Sequence, residues 1–280
     1  MITKLIKLVP QGGKPYVEPY CGAASLFFAR ESAKVEVLND LDEHVINLFR
    51  VLQNKQSFDE FARHVTWTLY SRSEFCRALR ILQSGTNDPI EKAWAAFVAY
   101  NQSLSAVART PGNWSRTFVS SRGMADNVSK YCRRLELLER WHSRLMRVQI
   151  DCRDAIEVIK YWDTPEAVFY CDPPYVTATR VSGSRRTYRY EASDSHHQVL
   201  VQTLLDCQGA VVLSGYPSAL YKPLEEAGWQ RLDFHTACNA ASRARRTKLR
   251  GAGAALKHAP RIESIWRNKK AIALTTTNLE

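Results

Sequence analysis

The sequence has little that would hold a chain together from outside its own core. Its seven cysteines (Cys21, Cys76, Cys132, Cys152, Cys171, Cys207, Cys238) are scattered and show no C-x-x-C spacing. An odd, unpatterned set argues for a reducing compartment and against a disulfide framework or a zinc site, so no metal is expected. No window approaches the roughly eighteen apolar residues of a membrane span. The apolar stretch within residues 1–10, with Lys4 and Lys7 in it, is too short for a signal peptide. Internal repeats and long low-complexity tracts are also lacking, so the expected location is the cytoplasm. Acidic residues are scarce beside basic ones: 28 Asp plus Glu against 39 Lys plus Arg, a net charge of +11. That excess suits a polyanionic partner, nucleic acid first, although a merely basic soluble protein has the same balance. What is present is ordinary for a globular chain: 280 residues, 45% of them hydrophobic, enough for one large domain or two smaller ones.

The most informative stretch is Val168-Phe169-Tyr170-Cys171-Asp172-Pro173-Pro174-Tyr175. An apolar run of this kind suits a strand of a parallel sheet, covered on both faces. Two successive prolines then stop strand and helix alike, because each lacks an N–H and fixes φ. The expected result is a rigid corner at the carboxyl end of a strand, where open α/β sheets place their ligands. A planar base with an exocyclic amine could stack on Tyr175 and donate hydrogen bonds to Asp172 and to the Pro173 carbonyl. The plainer alternative is an ordinary turn with a core tyrosine.

Taken from the start, residues 2–9 carry apolar side chains at helical spacing and end at Pro10, predicting a short helix. Residues 15–29 read as strand, small-residue turn and helix, which brings backbone N–H groups to the end of the first strand. Glu18 there suits a cation such as an amino group or a sulfonium. Residues 35–40 predict a second strand ending in Asp40, placed to hold ribose hydroxyls or, alternatively, to cap the helix from Glu43 to Leu52. Residues 55–145 change character and read as mostly helical (58–70, 73–82, 89–100, 127–144). Within them, 103–123 is irregular and carries Arg109, Trp114, Arg116 and Arg122, either a nucleic-acid contact surface or a solvated loop over a buried tryptophan.

Strand character returns at residues 148–151 and closes on Asp154. After the diproline corner, residues 176–195 hold Arg180, Arg185, Arg186 and Arg189 without apolar periodicity, predicting a lid, a DNA clamp or plain disorder. A helix (196–206), a fifth strand (209–215), a helix (220–227) and a strand (229–234) follow. A basic segment (242–258) then leads to a last strand (261–266), read as a hairpin partner of the one before.

With E-P-Y-C-G at residues 18–22, N-D at Asn39 and Asp40, and Y-C-D-P-P-Y at residues 170–175, in that order, the chain resembles the D12 class of DNA adenine methyltransferases, the Dam-like alpha group. The likeness runs over nearly the whole length and includes residues 35–53, 70–75 and 213–216. The resemblance implies a Rossmann-like α/β sheet of seven strands formed by residues 1–54 and 146–280, with residues 55–145 as a mostly helical target-recognition insert. It implies S-adenosyl-L-methionine as cofactor and double-stranded DNA as partner, with a flipped adenine as methyl acceptor. By matching position, Glu18, Pro19, Tyr20, Cys21 and Gly22 would line the methionine end of the cofactor, and Asp40 and Leu41 its ribose side. Asp154 would meet its adenine amine, with the Ala155 N–H on the ring. Asp172, Pro173, Pro174 and Tyr175 would hold the target base, Asp172 also bordering the cofactor. From the basic composition of their stretch, Arg185 and Arg186 are further candidates for DNA contact.

Two departures stand out. Ala24 occupies a position where relatives usually carry glycine. Gly12-Gly13-Lys14 abuts the first strand, whereas relatives carry Gly-Gly-Lys one helix upstream. An N-terminal element therefore looks missing, and a partner could supply that edge. The expected activity is methylation of the adenine 6-amino group in DNA, in a phage, restriction or housekeeping setting. The alternatives are methylation of RNA adenine or of cytosine N4, and a DNA-binding module without cofactor.

Overall fold

The structure, a computed structural model, describes residues 1–104, 110–176, 179, 190–236 and 261–276. Two compact units emerge, one from Met1–Ile46, Arg147–Thr236 and the chain from Ile262, the other around Asn47–Met146. In chain order, α1 (Ile2–Leu8) leads to β1 (Tyr16–Glu18), α2 (Ser25–Ala29), β2 (Glu36–Asn39) and α3 (Glu43–Gln53). Next come α4 (Lys55–Thr66), α5 (Arg72–Ser84), α6 (Pro89–Gln102), the hairpin β3 (Ser120–Ser121) and β4 (Met124–Ala125), α7 (Asp126–Leu135) and α8 (Leu138–Leu145). The first unit then resumes with β5 (Gln149–Asp151), α9 (Ala155–Trp162), β6 (Val168–Cys171), α10 (Asp194–Asp206), β7 (Ala210–Gly215), α11 (Lys222–Glu226), β8 (Gln230–Thr236), β9 (Arg261–Arg267) and α12 (Lys269–Thr276).

The first unit is a mixed α/β fold on one seven-stranded sheet of order β5-β2-β1-β6-β7-β9-β8. The strands from β5 to β7 pair in parallel, and β9 runs antiparallel to β7. Strands β1, β2, β6 and β7 are buried along their whole length, as expected of strands covered on both faces. One face packs Val17, Phe169, Val211, Leu213 and Trp266 against Ile159 of α9, Leu200 and Leu204 of α10 and Leu224 of α11. Burying a side chain such as Phe169 or Leu213, each 0% exposed, stabilises the fold by roughly 1.5–3 kcal/mol. Toward the other face, Arg267 of β9 donates to the Leu8 carbonyl, to Thr275 of α12 and to Gln230 of β8. The strand order reverses between β1 and β6, which opens a crevice beyond their carboxyl ends.

In the second unit, α6 is the core element. Residues 93–99 are buried all round, as in a helix enclosed by its neighbours. It meets Phe58, Phe61 and Val65 of α4 and Phe75 and Leu79 of α5, with Tyr131 of α7 against Phe97. The helix expected over 58–70 stops at Thr66 because side chains claim the backbone beyond it. Thr68 donates to the His64 carbonyl and accepts from the Trp94 indole, while Gln102 accepts from Ser71 N–H and donates to the Leu69 carbonyl. Ser71 then caps α5 through Glu74 N–H. The run expected as one helix over 127–144 is two, α7 and α8, joined by a tight turn in which Leu137 N–H meets the Arg134 carbonyl. That turn lets Leu138, His142 and Leu145 all face inward. Helices α9 and α12 and the β3–β4 hairpin were not anticipated from the sequence.

The turn from β1 to α2 holds Ala24 in the left-handed region, at φ 49° and ψ 38°, fully buried. A left-handed conformation costs a residue with a Cβ about 1–2 kcal/mol, while glycine gives back about 0.4–1 kcal/mol through its freer unfolded chain. Ala24→Gly is therefore expected to be neutral or stabilising by up to about 1 kcal/mol. At Gly13, φ is 89° and an added Cβ would stand 2.8 Å from Val168 Cγ2, so Gly13→Ala is expected to destabilise. Chemical denaturation of the two variants checks both signs, and a clearly destabilised Ala24→Gly would contradict the strain reading.

Candidate active site

The carboxyl ends of three strands are joined by one amide. Asn39, 0% exposed at the end of β2, donates to the Pro19 carbonyl after β1 and to the Arg153 carbonyl after β5, and accepts from Arg153 N–H. Its own carbonyl accepts from Cys21 N–H. Asp40 continues the pattern: one carboxylate oxygen accepts from Gly22 N–H and the other from Asp42 N–H, each at 2.8 Å. Burial nevertheless pushes the Asp40 carboxyl above its usual range, against the pull of those N–H groups. The cap expected of Asp40 is made instead by Asp42, whose carboxylate accepts from His44 N–H in the first turn of α3. Asp40 orders the turn before it, and each of its oxygens retains a second lone pair. Leu41 beside it is 46% exposed. Lys14, by contrast, sits at the amino end of β1, exposed, with its N–H on the Glu166 carbonyl, at the far end of the strand from Glu18.

Glu18 is 2% exposed. Its carboxylate accepts from the Tyr16 hydroxyl at 2.7 Å and from the Phe27 N–H in the first turn of α2. Tyr16 in turn lies under the Arg30 guanidinium, 3.6 Å from its ring centre, and Arg30 donates to the Pro10 carbonyl. Burial pushes the Glu18 carboxyl up from 4.5 to about 7, with Asp172 adding to the rise and Tyr16 and Arg30 opposing it. Cys21 is buried beside Asp40 and Glu18, and its thiol is pushed well up by burial and by both acids.

Asp172 stands across the switch point from Glu18. It is exposed to solvent, with protein close around it. The enclosing protein raises its carboxyl from 3.8 to about 7, Glu263 adds to that, and hydrogen bonds with Ser214 and Tyr175 oppose it. The solvent it meets moderates the rise. Ser214, at the end of β7, also hydrogen-bonds Tyr170 of β6. Pro173 is buried and Pro174 half-buried. The Tyr175 ring lies 4.4 Å from that of Tyr216, centre to centre, tilted by 60°. Sequence reasoning assigned no role to Ser214 or Tyr216, although the one lies near the end of β7 and the other directly follows it.

Asp154 caps α9, accepting from Ile156 N–H, and Ala155 behind it is buried. A depression of about 380 Å³ opens beside it, lined by Asp154, Ile156, Ser193, His196 and Val199. Its wall is tied to the turn after β1 by a 2.8 Å hydrogen bond between the Tyr20 hydroxyl and His196 Nε2.

The second unit holds the other candidates. Arg116 is exposed. Arg122 heads the β3–β4 turn at φ 56° and pairs with Glu136 at 3.0 Å. Trp114 is half-buried against Tyr70, ring centres 5.8 Å apart, with its indole N–H enclosed. Exposed apolar side chains that the sequence did not single out include Trp67, 82% exposed, and Phe118, 77% exposed. Arg109, Arg180, Arg185, Arg186, Arg189 and the basic stretch at 242–258 lie outside the described residues.

A mostly parallel α/β sheet with acids at successive strand ends, and an open carboxylate beside an aromatic ring at the switch point, is an arrangement suited to group transfer onto a planar base. The model of the D12 class N6 adenine-specific DNA methyltransferase family matches residues 1–217, and the chain belongs to that family. It is thus an adenine-specific DNA methyltransferase by class. No curated protein matches the chain significantly. Among the described residues no helix is long and apolar enough to cross a membrane, and no cluster of His, Cys, Asp and Glu could hold a metal ion.

Glu18 gives a testable link between the site and stability. A carboxyl whose folded-state affinity for protons is raised contributes fully below its unfolded value, and that contribution is lost as pH rises through the folded one. For Glu18 the loss falls between about 4.5 and 7. Glu18→Gln carries no charge at any pH, so it is expected to match the wild type near pH 4 and to be the more stable at pH 8, by an amount on the order of a few kcal/mol. Melting temperatures across that range check it; a gap that does not widen with pH would contradict it.

Proposed function

We propose that this protein moves a methyl group from S-adenosyl-L-methionine to the 6-amino nitrogen of an adenine swung out of duplex DNA. The observation that carries this reading is the pairing across the switch point: a solvent-open Asp172, hydrogen-bonded by Ser214 and Tyr175, next to a row of acids at the ends of β1, β2 and β5. The donor set fits the cofactor, which is a cation rich in hydrogen-bond donors. Glu18 and Cys21 would lie at its methionine end, Asp40 and Leu41 at its ribose, and Asp154 with the Ala155 N–H at its adenine. Pro19, Tyr20 and Gly22 shape the turn between them. When bound, S-adenosyl-L-methionine supplies an electrophilic methyl group on a positively charged sulfur.

The protein's own residues deal with the base. The adenine amine is a weak nucleophile because its lone pair is delocalised into the ring. Hydrogen bonds from the amine to Asp172 and to the Pro173 carbonyl favour a pyramidal nitrogen and stabilise the positive charge that grows there. The diproline corner holds those acceptors still, and Tyr175 offers a stacking face once its ring turns toward the base. Taking the base out of the duplex costs a few kcal/mol, offset by stacking and edge contacts. The net charge of +11, exposed Arg116 and the hairpin carrying Arg122 support a DNA-facing surface on the second unit. Arg109, Trp114, Arg185 and Arg186 remain candidates for contact with DNA. The proposed division of labour assigns residues 1–54 and 146–280 to catalysis and 55–145 to target recognition.

Transfer of a labelled methyl group to DNA and RNA, followed by digestion to nucleosides, tests the reading. N6-methyladenine in DNA is expected. Label in RNA or on cytosine N4 would redirect the substrate, and an absence of both transfer and cofactor binding would leave a DNA-binding module. Asp172→Ala is expected to bind DNA nearly as well as wild type while losing at least about a thousandfold in transfer rate.

A further inference from the structure

Glu263 lies on β9, beyond the residues that the family model matches. The antiparallel register sets Ser214 beside Ile265 and Gly215 beside Ser264, so the next step along the two strands brings Tyr216 and Glu263 together. Side chains of paired residues share a face, and successive residues alternate. Trp266 and Leu213 both point into the helix-covered core. Ile265 and Glu263 therefore share the opposite face with Ser214, and it is Ser214 that hydrogen-bonds Asp172. Because β9 runs against β7, Glu263 enters the sheet at the carboxyl edge, where β6 delivers Asp172. It is half-buried there.

Resting on the methyltransferase reading above, we propose that Glu263 is a positioning residue that acts through Asp172. Its negative charge holds Asp172 ready to receive the proton that the adenine amine sheds on methylation. The atoms balance as follows. The amine nitrogen bonds to the methyl carbon while the carbon–sulfur bond breaks and its electron pair stays on sulfur. The nitrogen is left positively charged, with one proton more than the product holds. That proton passes to a carboxylate oxygen of Asp172, giving the neutral methylated base, and from there to water.

The groups that face Asp172 from its neighbours are consistent with this part. Ser214 of β7 and Tyr175 hydrogen-bond it, and Glu263 of β9, Glu18 of β1, Tyr170 and Cys171 of β6 and Tyr221 ahead of α11 lie close enough for their charges to be felt. Glu263 raises the proton affinity of Asp172, while Ser214 and Tyr175 lower it. A base performs best when its proton affinity lies near the working pH. A carboxylate left at its ordinary strength would stay ionised but would be the poorer acceptor.

The test removes the charge and keeps the shape. In Glu263→Gln, the Asp172 carboxyl, followed by carbon-13 NMR in the full chain without DNA, is expected to titrate about half to one pH unit lower. The acidic limb of the single-turnover transfer rate should move down by the same amount, the plateau rate should fall severalfold, and the DNA affinity should stay level. Glu263→Asp keeps the charge and should keep the limb near its wild-type position, which a purely structural role would not require. Equal Asp172 midpoints in wild type and Glu263→Gln overturn the proposal, and so does a shifted midpoint with an unmoved rate profile. A wild type that transfers no methyl group would overturn the functional reading itself; failure of the Glu263 role alone leaves wild-type transfer intact.

Discussion

The first unit depends on a single buried amide. Both Asn39 amide protons and its side-chain oxygen are spent on backbone groups just past the ends of β1 and β5, while its backbone carbonyl takes Cys21 N–H. Chains leaving the carboxyl edge of a parallel sheet diverge, and each carries polar groups freed from the ladder. Buried, those groups would each cost about 1–3 kcal/mol if unpaired. Asn39 pairs them and thereby sets the spacing of Pro19, Asp40 and Arg153. Asp40 then shapes the turn at Gly22, and Asp154 follows from the anchored Arg153. Neither aspartate nor leucine could do this, since only a carboxamide offers two donors and an acceptor on one short stem.

The site also carries a built-in opposition. Glu18 and Asp172 are both pushed toward neutrality by the protein around them, and each is held back from it by specific partners. Tyr16, Arg30 and the first turn of α2 serve Glu18; Ser214 and Tyr175 serve Asp172. Such sites are stored at the expense of stability and are released by a ligand that supplies the missing positive charge or hydrogen bonds. The left-handed Ala24 in the turn from β1 to α2 adds backbone strain.

Much of this was legible from local pattern. The apolar run ending at Asp172 and the two prolines predict a buried strand and a corner, and β6 ends at Cys171. The small-residue turn after Glu18 and the acid that follows β2 sit where periodicity puts them, whereas the cap that Asp154 gives to α9 was not read from the sequence. What was not legible depended on long-range contacts. Gln102, far along the chain, ends α4 early by binding the backbone at Leu69 and Ser71. The role of Asn39 needs three strand ends at once. Glu263 acquires a meaning only through the antiparallel register of β9 with β7. The β3–β4 turn, with Arg122 and Gly123 both at positive φ, is a two-residue hairpin whose strands are too short for any alternation to show.

The antiparallel insertion of β9 between β7 and β8 bears on how the chain can be divided. Every residue of β7 is buried, and β9 covers its outer hydrogen-bonding edge. A fragment stopping where the family likeness stops, at Pro217, would carry all the hallmark motifs yet present a bare, apolar strand flank to any neighbouring molecule. The carboxy-terminal strands thus act as a seam that makes the fold self-contained, so the smallest autonomous piece extends well past its recognisable signature.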